Sequence, residues 1–487
     1  MSARISPKVA VSVVFVAAMF MSIMDATIVN VALPTIGRDF SVSPTAVDTI
    51  AIGFLVSLAV FIPASGWLGD RFGAKRVLLT AIGVFTLASA LCGTAGTLPE
   101  LVGYRVLQGV GGGMMAPVGM AMLFRVFPPE ERVRASAILT VPTTLAPALG
   151  PVIGGVLVTD LSWRWVFYVN VPIGIAAIAF GLLFLRHQPE EAPGRFDLAG
   201  FTLAGVGLGS LMFGVSEGPD MGWGSATVLV TIFAGALLLA AMVVVELRAS
   251  EPLVALRLLT NRLFRAGNIV MVLVSVAFFG TLFAVSLYYQ DGRGMSALAS
   301  GLSTFPEAIG VMAGAQLASR YIYARLGPRR HISFGLLGVT LVIALMGGMG
   351  ATTSLWVARL LMFALGLFMA QIFVPSQAAT FATISPAATG KASTLFNAVR
   401  QLGGAIGVAV LTTAIVLVGP LTRSAGHVVP HFAAYRTAFL VAAAFSLLAT
   451  AGSLSINDAE AANTMVRRGR SSARHRGGEA DLPALAD

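Results

Sequence analysis

Residues 66–76 read GWLGDRFGAKR, and residues 324–330 read ARLGPRR. Each stretch is a short polar turn set between long apolar runs, with a basic residue, a glycine and a basic pair in the same order. The offset between them also carries Arg105 onto Arg359 and Met115-Ala116 onto Met369-Ala370. A nearly equal offset carries Ala135-Ser136 and Gly150 onto Ala392-Ser393 and Gly407. The chain therefore contains two related halves in parallel orientation, each built of apolar segments joined by short turns.

Hydrophobic residues make up 56% of the 487 residues and charged residues only 11%, with a mean hydropathy of +0.86. A soluble domain carries about 25% charged residues. This chain could not cover a water-facing surface with polar groups, so its solvent is lipid. A membrane-crossing helix needs about 20 mostly apolar residues. Fourteen such runs follow one another from Val9–Leu33 to Thr437–Leu454, the seventh, Leu198–Val215, being among the shortest. They predict an all-α membrane protein of fourteen transmembrane helices. Runs one to six resemble runs nine to fourteen, and runs seven and eight stand between them as an inserted hairpin. The expected domains are a six-helix bundle over 1–190, the two-helix hairpin over 191–255, a second six-helix bundle over 256–456 and a polar tail over 457–487, expected to be disordered.

The formal net charge is +10, which in a soluble protein would point to nucleic acid. Here Lys and Arg concentrate in alternate loops. Arg38, Arg164, Arg293, Arg423 and Arg436 fall on the opposite side, and Arg105, Arg359 and Arg400 fall within spans. That is the positive-inside asymmetry. It argues against a nucleic-acid partner, places both termini in the cytoplasm and supports the count of fourteen, since one span fewer would invert every later loop. The apolar run after Arg4 and Lys8 extends well past the core of a secretory signal and has no small-residue cleavage site at its end, so it is read as the first span. The basic run Arg467–Arg476 suits either contact with anionic lipid headgroups or a solvated tail.

Cys92 is the one cysteine and lies in an apolar run, so no internal disulfide and no cysteine metal site is expected. His187, His331, His427, His431 and His475 are expected in loops or the tail, and no metal or cofactor is expected. The glycine run Gly109–Gly113 sits in an apolar span with no strand before it, and no Walker motif occurs elsewhere, so a nucleotide is not the energy source.

Ionisable and polar groups inside a span are costly and are candidates for function. They are Asp25, Arg105, Glu307, Arg359 and Arg400, with Asn30, Gln108, Gln371, Asn397 and Gln401 as neutral companions. Asp25 and Arg105 both fall in the outer half of the bilayer when depth is reckoned at ~1.5 Å per residue. A buried carboxylate beside an arginine keeps its charge, and one whose partner moves away takes up a proton. Asp25 and Arg105 are therefore the expected proton-coupling pair. Glu307, near the midplane with no partner in its own segment, could attract a cationic substrate, with Asn30, Gln108, Asn397 and Gln401 as further expected substrate contacts. The turn with Gly66, Asp70, Arg71 and Gly73 can make and break salt bridges, which suits a gate. Gly150 and Pro151 permit close packing and a kink in span five and are grouped with the gate.

These motifs resemble those of one family in order and position. GWLGDRFGAKR (66–76) resembles the loop 2–3 signature of the major facilitator superfamily. RVLQG (105–109) is similar to its fourth-span motif, whose arginine is implicated in proton transfer. GPVIGG (150–155) is similar to the fifth-span antiporter motif that marks exporters. DATIVNVALP (25–34), WRWVFYVNVP (163–172) and FNAVRQLGG (396–404) resemble stretches of the fourteen-spanner drug:proton antiporter family. The resemblance covers nearly the whole chain. It departs at Ala146, where the fifth-span motif usually has glycine, and at Ala324, which stands where Asp70 stands in the first copy and so confines an acidic latch to the first half.

The resemblance implies a major facilitator fold, proton coupling through Asp25 and Arg105, and a small-molecule substrate bound between the halves. It implies export of amphipathic, cationic drugs or other small molecules across a bacterial cytoplasmic membrane by a monomer embedded among membrane lipids, in exchange for protons. The alternative is export of an endogenous lipid, siderophore or secondary metabolite. The fifth-span motif weighs against import, and no catalytic serine–histidine arrangement points to an enzyme.

Overall fold

Small polar residues start many of the helices. The Ser6 hydroxyl accepts the Val9 N–H at 3.3 Å with Pro7 as the first helical residue, Thr97 accepts from Glu100 at 3.4 Å, and Asn261 accepts from Phe264 at 3.0 Å. Each satisfies a backbone donor that the helix itself leaves unpaired. The computed structural model describes residues 5–186, 195–249, 252–424 and 427–465.

The long helices are α1 (Pro7–Asp39), α2 (Pro44–Phe72), α3 (Ala74–Thr94), α4 (Leu98–Val126), α5 (Arg132–Asp160) and α6 (Trp165–Phe184). Then come α7 (Leu198–Met221), α8 (Ala226–Arg248), α9 (Arg262–Gly292), α10 (297–326), α11 (328–346), α12 (Leu355–Thr380), α13 (Thr389–Val418) and α14 (Phe432–Ser453). Among the described residues, 12 helical stretches are long and apolar enough to cross a membrane. One of them, Leu298–Met346, holds both α10 and α11, which part at Gly327 (φ 74°, ψ 163°). That conformation is essentially restricted to glycine. Helix α5 runs for 29 residues, with its apolar part at Leu145–Asp160. The fourteen helices stand where the hydropathy of the sequence places them. A small antiparallel hairpin, β1 (Leu421–Ser424) and β2 (His427–Pro430), joins α13 to α14.

The packing repeats. Helix α1 lies against α4, α5 and α6, while α2 packs on α4 and α3 packs on α4 and α6. Adding eight to each label gives the second half: α9 lies against α12, α13 and α14, α10 packs on α12, and α11 packs on α12 and α14. The repeat in the sequence is thus a repeat of architecture. Helices α7 and α8 pack on each other, and α7 leans on α2 and α13. The two halves meet through α2 and α4 on α13, and through α5 on α10 and α12.

Glycines set the closest approaches. A Cβ at Gly109 would lie 2.6 Å from the Phe54 carbonyl, and one at Gly111 would lie 2.6 Å from that of Ala81. The glycine run therefore seats α4 between α2 and α3, a packing role.

Two expectations need correction. His331 is not a loop residue: α11 begins at once after Gly327, so His331 is fully buried and its Nε2 meets Gln371 Oε1 at 2.7 Å. His427 likewise falls in β2. The stretch 457–465 folds back on the helix ends instead of starting a disordered tail. The Tyr323 and Thr464 hydroxyls bond at 2.7 Å, and Asn463 donates to the Ala382 carbonyl at 3.3 Å. Its side chains satisfy polar groups that the ends of α10 and α12 expose. Residues 466–487, with the basic run Arg467–Arg476, lie outside the described residues, as do His187 and His475.

Candidate functional site

Asp25 sits in the middle of α1 and is 0% exposed, in a region that offers no water to its charge. Its carboxylate is satisfied by three side chains on two other helices. Arg105 of α4 forms an ion pair with Oδ2. Gln108, one turn further along α4, donates to Oδ1 at 2.9 Å, and Asn170 of α6 donates to the same oxygen at 2.9 Å. Arg105 also donates to Gln108 Oε1 at 2.7 Å and to the Ile50 carbonyl at 3.3 Å. Its guanidinium lies 4.2 Å from the ring centroid of Phe54, a favourable face for a cation. Asn170 donates further to Ser89 Oγ at 3.1 Å, and Ser89 donates to the Phe167 carbonyl at 2.8 Å. A buried charge is tolerated only when paired and hydrogen-bonded, and this network meets both needs.

The expected partners Asp25 and Arg105 are therefore in contact. Gln108, expected among the substrate contacts, is instead fully buried within this network. Asn170 and Ser89 were not singled out from the sequence. The signal for Asn170 was its polar amide at the start of an apolar span. Cys92 is a buried core residue whose Sγ lies 3.8 Å from Gln108 Oε1.

The second half keeps the arginine without the acid. Helix α9 contains no Asp or Glu before Asp291 at its end, and Arg359 rests 5.1 Å from the Trp356 ring, with its buried Nε unbonded. Glu307 on α10 is buried, and among the described residues its Oε1 has no hydrogen-bond partner. Arg400 and Gln401 are half-buried near the middle of α13. Asn30 is exposed on α1 and lies apart from the Asp25 network.

The ends of α2, α4 and α12 and the starts of α5 and α13 form a seal at the end of the molecule where the basic loops lie. Asp70 pairs with Arg125 at 2.8 Å. A Cβ on Gly390, in the first turn of α13, would lie 3.0 Å from the Asp70 carboxylate, so the acid faces that helix start. Ser65 and Thr394 share a hydrogen bond of 3.1 Å, Ser393 donates to the Pro117 carbonyl at 2.9 Å, and Asn397 donates to Met120 Sδ at 3.3 Å. Arg132 of α5 donates to the Phe381 carbonyl, and Phe124 stacks on Phe381 with centroids 4.8 Å apart. Burial pushes the Arg132 pKa below its ordinary value.

The hydrogen bonds of Ser65, Ser393, Asn397 and Arg132 join the two halves in this seal. Gly66 allows it: a Cβ there would lie 2.8 Å from Thr394 Oγ1. Gly73 turns the chain into α3 at φ 85°, and Arg71 is exposed beside it. Gly150 seats α5 on Thr27 of α1, and Pro151 follows it within α5.

The sequence matches the family model described as Major Facilitator Superfamily over residues 15–408. The chain belongs to the major facilitator superfamily. It is similar to a multidrug resistance protein B homolog of Mycobacterium tuberculosis, with 33% identity over 82% of this chain and 74% of that one. It is also similar to a tetracenomycin C resistance and export protein of Streptomyces glaucescens, with 34% identity over 83% and 74%. A solved structure, the human organic anion transporter MFSD10 (TETRAN), shares its fold with a TM-score of 0.69 at 18% identity, covering 92% of this chain and 100% of the other. Membership makes this major facilitator protein a multi-pass membrane transporter of small molecules and not an enzyme.

Proposed function

We propose that the protein is a proton-coupled antiporter that exports amphipathic small molecules bearing a cationic group across a bacterial cytoplasmic membrane. It crosses that membrane fourteen times as a monomer, with both termini in the cytoplasm. The observation that carries the reading is the Asp25 carboxylate, dry, buried and held by Arg105, Gln108 and Asn170. Moving α4 or α6 away from α1 removes donors from a charge that water cannot reach, and a proton then replaces them. Protonation in turn loosens the hold of α1 on α4 and α6. Proton binding and helix movement are so linked through one side chain.

Two further features support the reading. The halves, 1–190 and 256–456, are joined at the basic end by a small set of hydrogen bonds, a contact suited to breaking as a unit when the bundles rock. The relatives named for multidrug resistance and for tetracenomycin C resistance and export favour outward movement of substrate. Glu307 supplies the negative group for a cationic substrate, and Asn30, Asn397 and Gln401 supply neutral contacts along its path.

The test is efflux of ethidium from drug-sensitive cells, with and without an uncoupler, for the native chain and Asp25→Asn. The reading requires that native efflux collapse with the uncoupler and that Asp25→Asn reach the membrane but fail to extrude. Efflux by Asp25→Asn at the native rate would make Asp25 structural and remove the proton site.

A further inference from the structure

Where α10 gives way to α11, the surface opens into a crevice of about 810 Å³ beside the chain that leaves α14. Asp458 builds its rim: one carboxylate oxygen accepts the backbone N–H of Arg329 at 2.7 Å. A Cβ at Gly327 would lie 2.9 Å from the other carboxylate oxygen. The Ser333 and Ser453 hydroxyls, 2.7 Å apart, tie α11 to α14 below it. Arg329 and Arg330 line the mouth. Both side chains are exposed, and among the described residues neither guanidinium has a hydrogen bond or ion pair. Asp458 accepts from the start of α11 and pairs with neither guanidinium, so among the described residues the crevice presents two unpaired cations against one carboxylate.

Below the arginines the wall turns apolar. Phe334 and Leu337 are each 53% exposed and Leu341 and Leu345 are 61% and 55% exposed, all on one stripe of α11. Leu454 forms the facing wall at 54% exposure. From Phe334 to Leu345 the stripe runs ~16 Å at the rise of an α-helix, about half of the ~30 Å hydrocarbon core of a bilayer. A cationic mouth above an apolar track one leaflet long has the shape and charge of a site for a lipid with an anionic headgroup.

We propose that this crevice binds one anionic phospholipid of the leaflet on the basic side, with its phosphate on Arg329 and Arg330 and an acyl chain along Phe334, Leu337 and Leu341. The bound lipid ties the α10–α11 turn to the end of α14. That turn is the second copy of the basic turn that ends α2, and it lacks an acid of its own.

The experiment uses the full chain purified in detergent and titrated with phosphatidylglycerol, with phosphatidylcholine of the same chains, and with inorganic phosphate. Thermal unfolding and the mass of the intact lipid adduct are both read. The expected result is a rise in melting temperature and a one-lipid adduct with phosphatidylglycerol alone. Arg329→Gln with Arg330→Gln should weaken that binding about thirtyfold. Arg134→Gln with Arg262→Gln, which removes the same charge elsewhere on this end, should leave it unchanged. Equal stabilisation by phosphatidylcholine or by phosphate alone would overturn the proposal. So would an equal loss in the Arg134/Arg262 variant, which would assign the effect to the basic surface as a whole.

Discussion

The side-chain amide of Asn170 donates to Oδ1 of Asp25 at 2.9 Å, so α6 holds the same carboxylate that α4 holds through Arg105 and Gln108. Asn170→Ala removes a donor from a buried charge while leaving the ion pair in place. Loss of one such bond costs about 1–3 kcal/mol. The expected outcome is a lower melting temperature with the protein still inserted, together with reduced transport. Ser89→Ala, which touches Asp25 only through Asn170, should cost less. A melting temperature unchanged in Asn170→Ala would mean that α4 alone satisfies Asp25.

Arg105 and Arg359 occupy matching places in the repeat but different surroundings, and this predicts unequal costs of removal. Arg105→Ala strands Asp25 as an unpaired buried charge, which costs about 3–5 kcal/mol. Among the described residues Arg359 pairs with no carboxylate, and it rests on the Trp356 ring, a contact worth about 0.5–1 kcal/mol at a partly exposed site. Thermal unfolding of the two alanine variants compares them directly. Equal losses would show that Arg359 has a charged partner that its geometry does not provide.

Much of this was legible in the sequence, for physical reasons. A membrane forces apolar runs of a set length, so the helices and their repeat stand out. Helix depth brings Asp25 and Arg105 level, so their pairing can be read before the fold is known. Other contacts left no such mark. Asn170 meets Asp25 across 145 positions, and a single amide near a helix start reads as a boundary residue. Arg132 bonds to the Phe381 carbonyl, and a backbone acceptor has no signature in the side-chain sequence. His331 was masked by the arginines before it, which suggest a longer loop than Gly327 makes. Asp458 caps α11 from beyond α14, so the acid missing at Ala324 could not be found by inspecting the turn itself.

Glu307 is buried with an unbonded carboxylate oxygen. Glu307→Gln keeps its volume and removes a charge that burial disfavours. Stability should hold or rise, while KM for a cationic substrate increases about tenfold or more and KM for an uncharged one stays put. Efflux kinetics with one dye of each kind separate the two. An equal change for both dyes would make Glu307 a packing residue of α10.

The seal at the basic end yields the sharpest test of movement between the halves. Arg132 on α5 spans the seam to the Phe381 carbonyl, and hydrogen bonds to charged groups contribute about 1.5–3 kcal/mol. Arg132→Ala should shift the balance toward states open at that end by roughly tenfold or more. Ser393 reports the opening, because it is buried in the seam and bonds to Pro117 of the other half. The native Cys92 is fully buried, so a cysteine placed at 393 is read against a low background. Labelling of Ser393→Cys from the basic side should be slow in the otherwise native chain and at least tenfold faster with Arg132→Ala. Gly66→Leu should act the same way, since a Cβ there already meets Thr394 Oγ1 at 2.8 Å and a larger side chain wedges the seam apart. If Ser393→Cys labels equally fast in all three backgrounds, the halves already part freely at this end, and the hydrogen bonds across the seam do not control its opening.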